Sequence, residues 1–221
     1  MRLNPTSERG FTLVEVLVVL AILALVLVGV AELFAISRQT LGVVSTYSNF
    51  LGNARLALTP MARDLRTAGF DPTGTNRFGF RDWTPSIAEM AAGAPPSFTA
   101  VATATSILFS LDADRNGNVA NSGVGDNAEE RVGFLRDGNT LVRTTDGTTP
   151  AAGLPPVARN VTGLQFAYFD ANGTAIPTNL PMTETQRRAI RRIQVTVTFT
   201  EVASDVTRTH TVVTDIMSRN L

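Results

Sequence analysis

The chain has 221 residues, with nineteen acidic side chains balanced by nineteen basic ones, all of them arginine. That balance leaves no overall field to draw nucleic acid or anionic lipid. Absent cysteine excludes disulfides and thiolate metal sites, and a single histidine, His210, excludes most zinc sites and any histidine-rich catalytic centre.

The strongest signal comes first in the chain. Val16 to Ala31 reads VLVVLAILALVLVGVA, and counted from Phe11 the apolar stretch is 21 residues, broken by Thr12 and Glu15. At about 1.5 Å per helical residue this length matches a hydrocarbon core of roughly 30 Å. A secretory signal peptide would have a shorter apolar region with its cleavage site behind it. Here the run continues into AELFAISRQT, and the candidate cleavage point lies in front. Glu15 is costly to place near the end of a membrane helix. Two readings of it stand side by side. It snorkels to the headgroups, or it pairs with an amino group freed by a cut between Gly10 and Phe11, one helical turn away.

The segment Arg9-Gly10-Phe11-Thr12-Leu13-Val14-Glu15 resembles the cleavage motif of type IV prepilins and type II secretion pseudopilins. The resemblance implies cleavage after Gly10 and N-methylation of Phe11 by a prepilin peptidase, with Glu15 as the assembly residue. Residues 1–10 are then a leader, 11–31 a transmembrane helix, 32–69 its continuation packed on a sheet, and 70–221 a β-rich head. Arg2 and Arg9 precede the span and only Glu32 closely follows it. The positive-inside bias places the N-terminus in the cytoplasm and the body outside, which the resemblance implies to be the periplasmic side of a bacterial inner membrane.

Beyond the span, Val44, Leu51, Leu58 and Leu65 recur every seven residues, with Tyr47, Ala54 and Met61 between them. This stripe suits a coiled-coil seam or a helix laid on a sheet, and because three heptads are marginal for a coiled coil the sheet is the expectation. Pro60 predicts a kink and Gly69 a helix stop, with Arg63 and Arg66 near its negative end. Residues 71–104 read as loop, rich in proline and glycine, with Trp83 as a packed anchor.

Strand patterns follow. Ile107, Phe109 and Leu111 alternate, as do Val132 and Phe134, and Asp137-Gly138 offers a hairpin into Leu141-Val142-Arg143. Leu164, Phe166 and Tyr168 alternate up to a turn at residues 170–173. Ile193, Val195, Val197 and Phe199 form the clearest period of two, and a last strand covers about Val206 to Met217, with His210 as one of its residues. One long helix followed by a run of strands predicts an α+β, pilin-like fold with an antiparallel sheet. The layout is similar to PilW-like minor pilins in the segments DLRTAGF (64–70), VTGLQFAYFDANG (161–173) and the terminal DIMSRNL. That resemblance implies a structural subunit of a pilus, with other pilin subunits and an inner-membrane assembly platform as partners. Type II secretion minor pseudopilins share the plan.

Two further patterns stand out. Asp112-Ala113-Asp114-Arg115-Asn116-Gly117 places oxygen side chains at alternate positions before a glycine, as a calcium loop does. The twelfth position is Gly123, where an EF-hand needs glutamate, so Asp126, Glu129 or Glu130 would have to close a longer loop. The same residues also suit a turn without metal. Arg187, Arg188, Arg191 and Arg192 form a basic cluster that would suit DNA phosphates at a pilus tip, or a surface contact. No aromatic pattern supports DNA binding, so a solvated face or subunit contact is expected. No nucleophile elbow, phosphate loop or paired metal motif points to an enzyme.

Overall fold

The computed structural model describes residues 12–84, 87, 99–119, 130–145, 156–178, 181–203 and 206–221. The chain forms two compact units, Met1–Tyr47 and Ser48–Leu221. Helix α1 covers Leu13–Thr67. Among the described residues, nine strands and a short helix are ordered β1 (Val101–Ala102), β2 (Ser106–Ser110), β3 (Arg131–Asp137), β4 (Thr140–Thr145), β5 (Pro156–Arg159), β6 (Val161–Phe169), β7 (Ala175–Ile176), α2 (Glu184–Ala189), β8 (Arg192–Ala203) and β9 (Val206–Met217).

From Val16 to Ala31, within the first unit, α1 is apolar on all sides. Leu17, Leu20, Leu23, Leu25, Val28 and Leu33 are all at least half exposed. Burying one such side chain is worth about 1.5–3 kcal/mol, so a run of them facing water would be heavily unfavourable. A hydrocarbon medium, or the matching helices of neighbours, removes that penalty.

In the second unit α1 has one buried face, formed by Phe50, Ala54, Ala57, Met61, Leu65 and Ala68. Steps of four and three keep these residues on one stripe. This differs from the sequence expectation. Leu65, Ala54 and Met61 are buried as expected, but Val44, Tyr47 and Leu51 are exposed and Leu58 is only half-buried. Helix α1 continues through Pro60 to Thr67. Gly69 then turns the chain at φ 76°, the left-handed conformation that glycine adopts without a steric penalty.

The strands form two antiparallel sheets. The first has the order β1-β2-β3-β4-β5 and the second β7-β6-β8-β9. The expected hairpin joins β3 to β4, with Asp137 opposite Thr140 and Gly138 at positive φ. In β8 Ile193, Val195, Val197 and Phe199 are fully buried, so the period of two read from the sequence does describe an inward face. In β6 the buried set runs Val161, Leu164, Phe166 and Tyr168. The odd step after Val161 comes from a register shift between Val161 and Gly163, where an extra residue moves the following side chains onto the inward face.

One core joins these elements. Phe50 of α1 stacks on His210 of β9 at 4.5 Å and meets Phe199 edge-on at 5.8 Å. The sheets are linked directly, because Phe166 donates its backbone N–H to the Ala104 carbonyl at 2.8 Å and the Tyr168 hydroxyl donates to the Thr103 carbonyl at 2.9 Å. A second, smaller core gathers Phe78, Trp83, Ala100 and Val119. Trp83 is a packed anchor within it.

Candidate functional site

Gly10 and Phe11, the expected processing residues, lie outside the described residues. The chain is described from Thr12, where a sequence signal not used above becomes visible. Thr12 and Glu15 cap α1 reciprocally. The Glu15 N–H donates to Thr12 Oγ1 at 3.3 Å, while the Thr12 N–H and hydroxyl donate to Glu15 Oε2 at 3.2 and 3.3 Å. This is the capping-box arrangement, in which a hydroxyl and an acid three residues on satisfy two orphan donors of the first turn. Thr12-Leu13-Val14-Glu15 immediately before an apolar run is its sequence signature. Glu15 therefore sits at the positive end of the helix dipole with its carboxylate held beside the chain just before the helix. The following residues are apolar on every side and long enough to cross a bilayer.

The other candidates lie in the second unit. The loop after β2 folds its acidic residues toward the residue preceding β3. Oxygens of Asp112, Asp114 and Glu130 lie within 4.8 Å of one another. Asp112 and Glu130 are fully buried, whereas Asp114 is exposed. Glu130 Oε1 accepts the backbone N–H groups of Ala113 and Asp114 at 3.1 and 3.4 Å. Asp112 Oδ2 accepts the Gly117 N–H at 3.3 Å and faces the Thr73 hydroxyl at 3.4 Å. Glu130 Oε2 and Asp112 Oδ1 are buried without a hydrogen-bond partner among the described residues. Burial, followed by the neighbouring Asp114 carboxyl, pushes the Glu130 carboxyl up to about 8. Burial also raises Asp112, partly offset by the Gly117 N–H.

Of the four residues proposed from the sequence for this loop, Asp112 and Asp114 come together. Asn116 lies beside Asp114, its amide donating to Asp114 Oδ2 at 2.8 Å while its side-chain carbonyl accepts the Asn118 N–H at 2.6 Å. Asp126 lies outside the described residues. Glu130, one of three residues considered for closing the loop, joins Asp112 and Asp114; Glu129 likewise lies outside the described residues.

Of the arginine cluster, expected as a solvated face or subunit contact, Arg188 is exposed and Arg191 and Arg192 are partly so, whereas Arg187 is not. Arg187 is buried, donating to Asp82 Oδ2 at 2.5 Å and to the Met182 carbonyl at 2.6 Å. Arg188 pairs with Glu184 one turn earlier in α2. Arg191 donates to the carbonyls of Arg188 and Ile190 at the end of α2. Arg192 lies over the Phe169 ring at 3.6 Å and pairs with Asp215 at 2.8 Å. Arg187 and Arg192 are engaged by partners distant in sequence, whereas Arg188 and Arg191 bond to groups within four residues of themselves.

Residues 5–31 match the family described as the prokaryotic N-terminal methylation motif. The motif marks the N-terminus of a type IV pilin-like or pseudopilin precursor. The long apolar helix and the antiparallel sheets are those of a pilin-like α+β fold. No curated protein matches the chain.

Proposed function

We propose that this chain is a PilW-like minor pilin, a structural subunit that helps to initiate or cap a type IV pilus. A prepilin peptidase cleaves it after Gly10 and methylates the new amino group of Phe11. The anchor of residues 11–31 holds it in the inner membrane with its body in the periplasm. From there the assembly platform passes it to other pilin subunits.

One observation carries this reading. An acid stands in the first turn of a helix whose next stretch, Val16 to Ala31, is apolar on every side, directly within the matched motif. In an assembled filament the apolar helices would pack together, leaving Glu15 in a medium of low dielectric. A lone carboxylate is strongly disfavoured there, and the ammonium of a neighbouring Phe11 offsets that cost. Glu15 would exchange its local partner Thr12 for the neighbour's amine.

The test is the N-terminal mass of the protein recovered from membranes. A chain beginning at methylated Phe11 is expected. Retention of the first ten residues, or loss of the whole apolar stretch, overturns the proposal. Deletion of the gene should then remove pili, whereas intact pili with lost protein secretion would assign the subunit to a secretion pseudopilus.

A further inference from the structure

We propose that Asp112, Asp114 and Glu130 form a binding site for a calcium ion. The three carboxylates converge from two places in the chain, the loop after β2 and the residue before β3. Convergence of acids is not enough by itself, because exposed acidic groups gather without any ligand. What distinguishes this cluster is that two of its members are fully buried and each keeps one oxygen without a hydrogen-bond partner among the described residues. An unpaired buried carboxylate oxygen is costly, and proteins seldom retain one without a counter-charge, a proton or a water.

The donor set identifies the ion. It consists of oxygen alone, with no imidazole or thiolate, which favours a hard cation over zinc. Two oxygens on opposite sides of a calcium ion at about 2.4 Å stand about 4.8 Å apart. Each of the three carboxylates offers an oxygen within that distance of the others, so a single ion can reach all three. Magnesium demands a tighter octahedron at about 2.1 Å and gives up its waters reluctantly. Calcium tolerates an irregular set completed by water, and the exposed Asp114 leaves an open side.

The surroundings are already fixed in a way that suits an ion. Leu111 donates its N–H to the Glu130 carbonyl at 2.8 Å, and Asp112 donates its N–H to the Phe70 carbonyl at 2.8 Å. Gly117, at φ 77°, allows the loop to turn back so that its N–H reaches Asp112. The bound ion would therefore tie the segment after α1 to the junction of β2 and β3.

The experiment uses the full chain in detergent micelles, stripped with a chelator and titrated with calcium chloride in a calorimeter. Binding with a dissociation constant of about 10⁻⁵ to 10⁻³ M is expected. Saturation should raise the thermal midpoint by about 5 °C, and magnesium should bind at least about tenfold more weakly. Glu130→Gln should lose calcium binding by at least about tenfold while melting no lower than the unaltered chain in chelator, because the amide retains the acceptor and carries no buried charge. Asp114→Asn, an exposed change that leaves the core untouched, should lose the response as well and decides the matter if Glu130→Gln fails to fold. Absence of heat and of any thermal shift at about 10 mM calcium, well above the affinity range of extracellular calcium modules, overturns the proposal. So does a normal calcium response in Asp114→Asn.

Discussion

Arg143 Nε donates to Asp64 Oδ2 at 2.7 Å, joining the end of α1 to β4 across 79 positions of sequence. Both side chains are mostly withdrawn from water, at 27% and 17% exposure. A pair in this setting outweighs a surface ion pair, because screening is weaker and an unpartnered survivor stays partly desolvated. Asp64→Ala should therefore destabilise the head by about 1–3 kcal/mol, and Arg143→Ala by a similar amount. The double variant should cost less than the sum of the two, since neither charge is then left alone. Urea unfolding of the full chain in detergent, followed at the single tryptophan, gives the coupling energy. Strict additivity would show that the contact contributes nothing.

Glu15 has a local partner in Thr12 before any assembly, and this allows two roles to be separated. Glu15→Val removes the cap and the charge together. Thr12→Ala removes much of the cap but leaves the charge, at a local cost of about 1 kcal/mol. If pairing with a neighbour's amine governs docking, Glu15→Val should abolish incorporation into filaments while membrane insertion and processing continue. Thr12→Ala should incorporate almost normally. Sheared-filament immunoblots alongside total membrane protein would measure both. Equal defects in the two variants would mean that the helix cap, not the charge, is what assembly requires.

Much of the head was legible in the sequence because strands with one buried face declare themselves. Ile193, Val195, Val197 and Phe199 alternate with polar residues, and all four are buried. The helix stripe was harder to read. Alanine gives a weak signal, so Ala57 and Ala68 went unremarked, while the larger Val44 and Leu51 drew attention to a face that stays exposed. Division into two sheets could not be read either, because pairing partners are chosen in the fold and not in the strand. The same limit hid the arginines' partners: Asp82 lies 105 residues before Arg187. For the acidic loop, composition marked Asp112 and Asp114. Bringing Glu130 to them required the register of β2 against β3, which places Glu130 opposite Leu111.

Gly69 permits a separate test of how the chain end packs. Its φ of 76° disfavours any side chain, and an added Cβ would lie 2.8 Å from the Asn220 carbonyl oxygen and 2.7 Å from Leu221 Cδ2. Gly74 has a similar φ of 69° with open space around it. Gly74→Ala should thus cost only the left-handed term, about 1–2 kcal/mol. Gly69→Ala should cost more, because the last residues must also move and would loosen the Ser218 hydroxyl from the Ala68 carbonyl, now 2.9 Å away. Thermal melts of both variants measure the difference. Equal losses would show that the terminal residues do not press on the helix end.

Asp71 supplies a pH dependence whose sign can be worked out. Burial alone would raise its carboxyl. The Asn76 N–H at 2.6 Å, the Thr73 hydroxyl and the N–H and hydroxyl of Thr75 outweigh that effect and hold it below the usual carboxylate range. A carboxylate that is more acidic in the folded chain than in the unfolded one stabilises the fold above its unfolded pKa, and this contribution disappears as the pH falls through its folded value. Other carboxylates also titrate in acid, so the informative quantity is a difference between chains. Asp71→Asn should melt below the unaltered chain at pH 6, where the charged acceptor contributes fully. The gap should narrow steadily toward pH 3 and below, as the aspartate gains its proton and comes to resemble the amide. Calorimetric melts of both chains across that range provide the comparison. A gap independent of pH would mean that the turn is held by its shape and owes nothing to the charge.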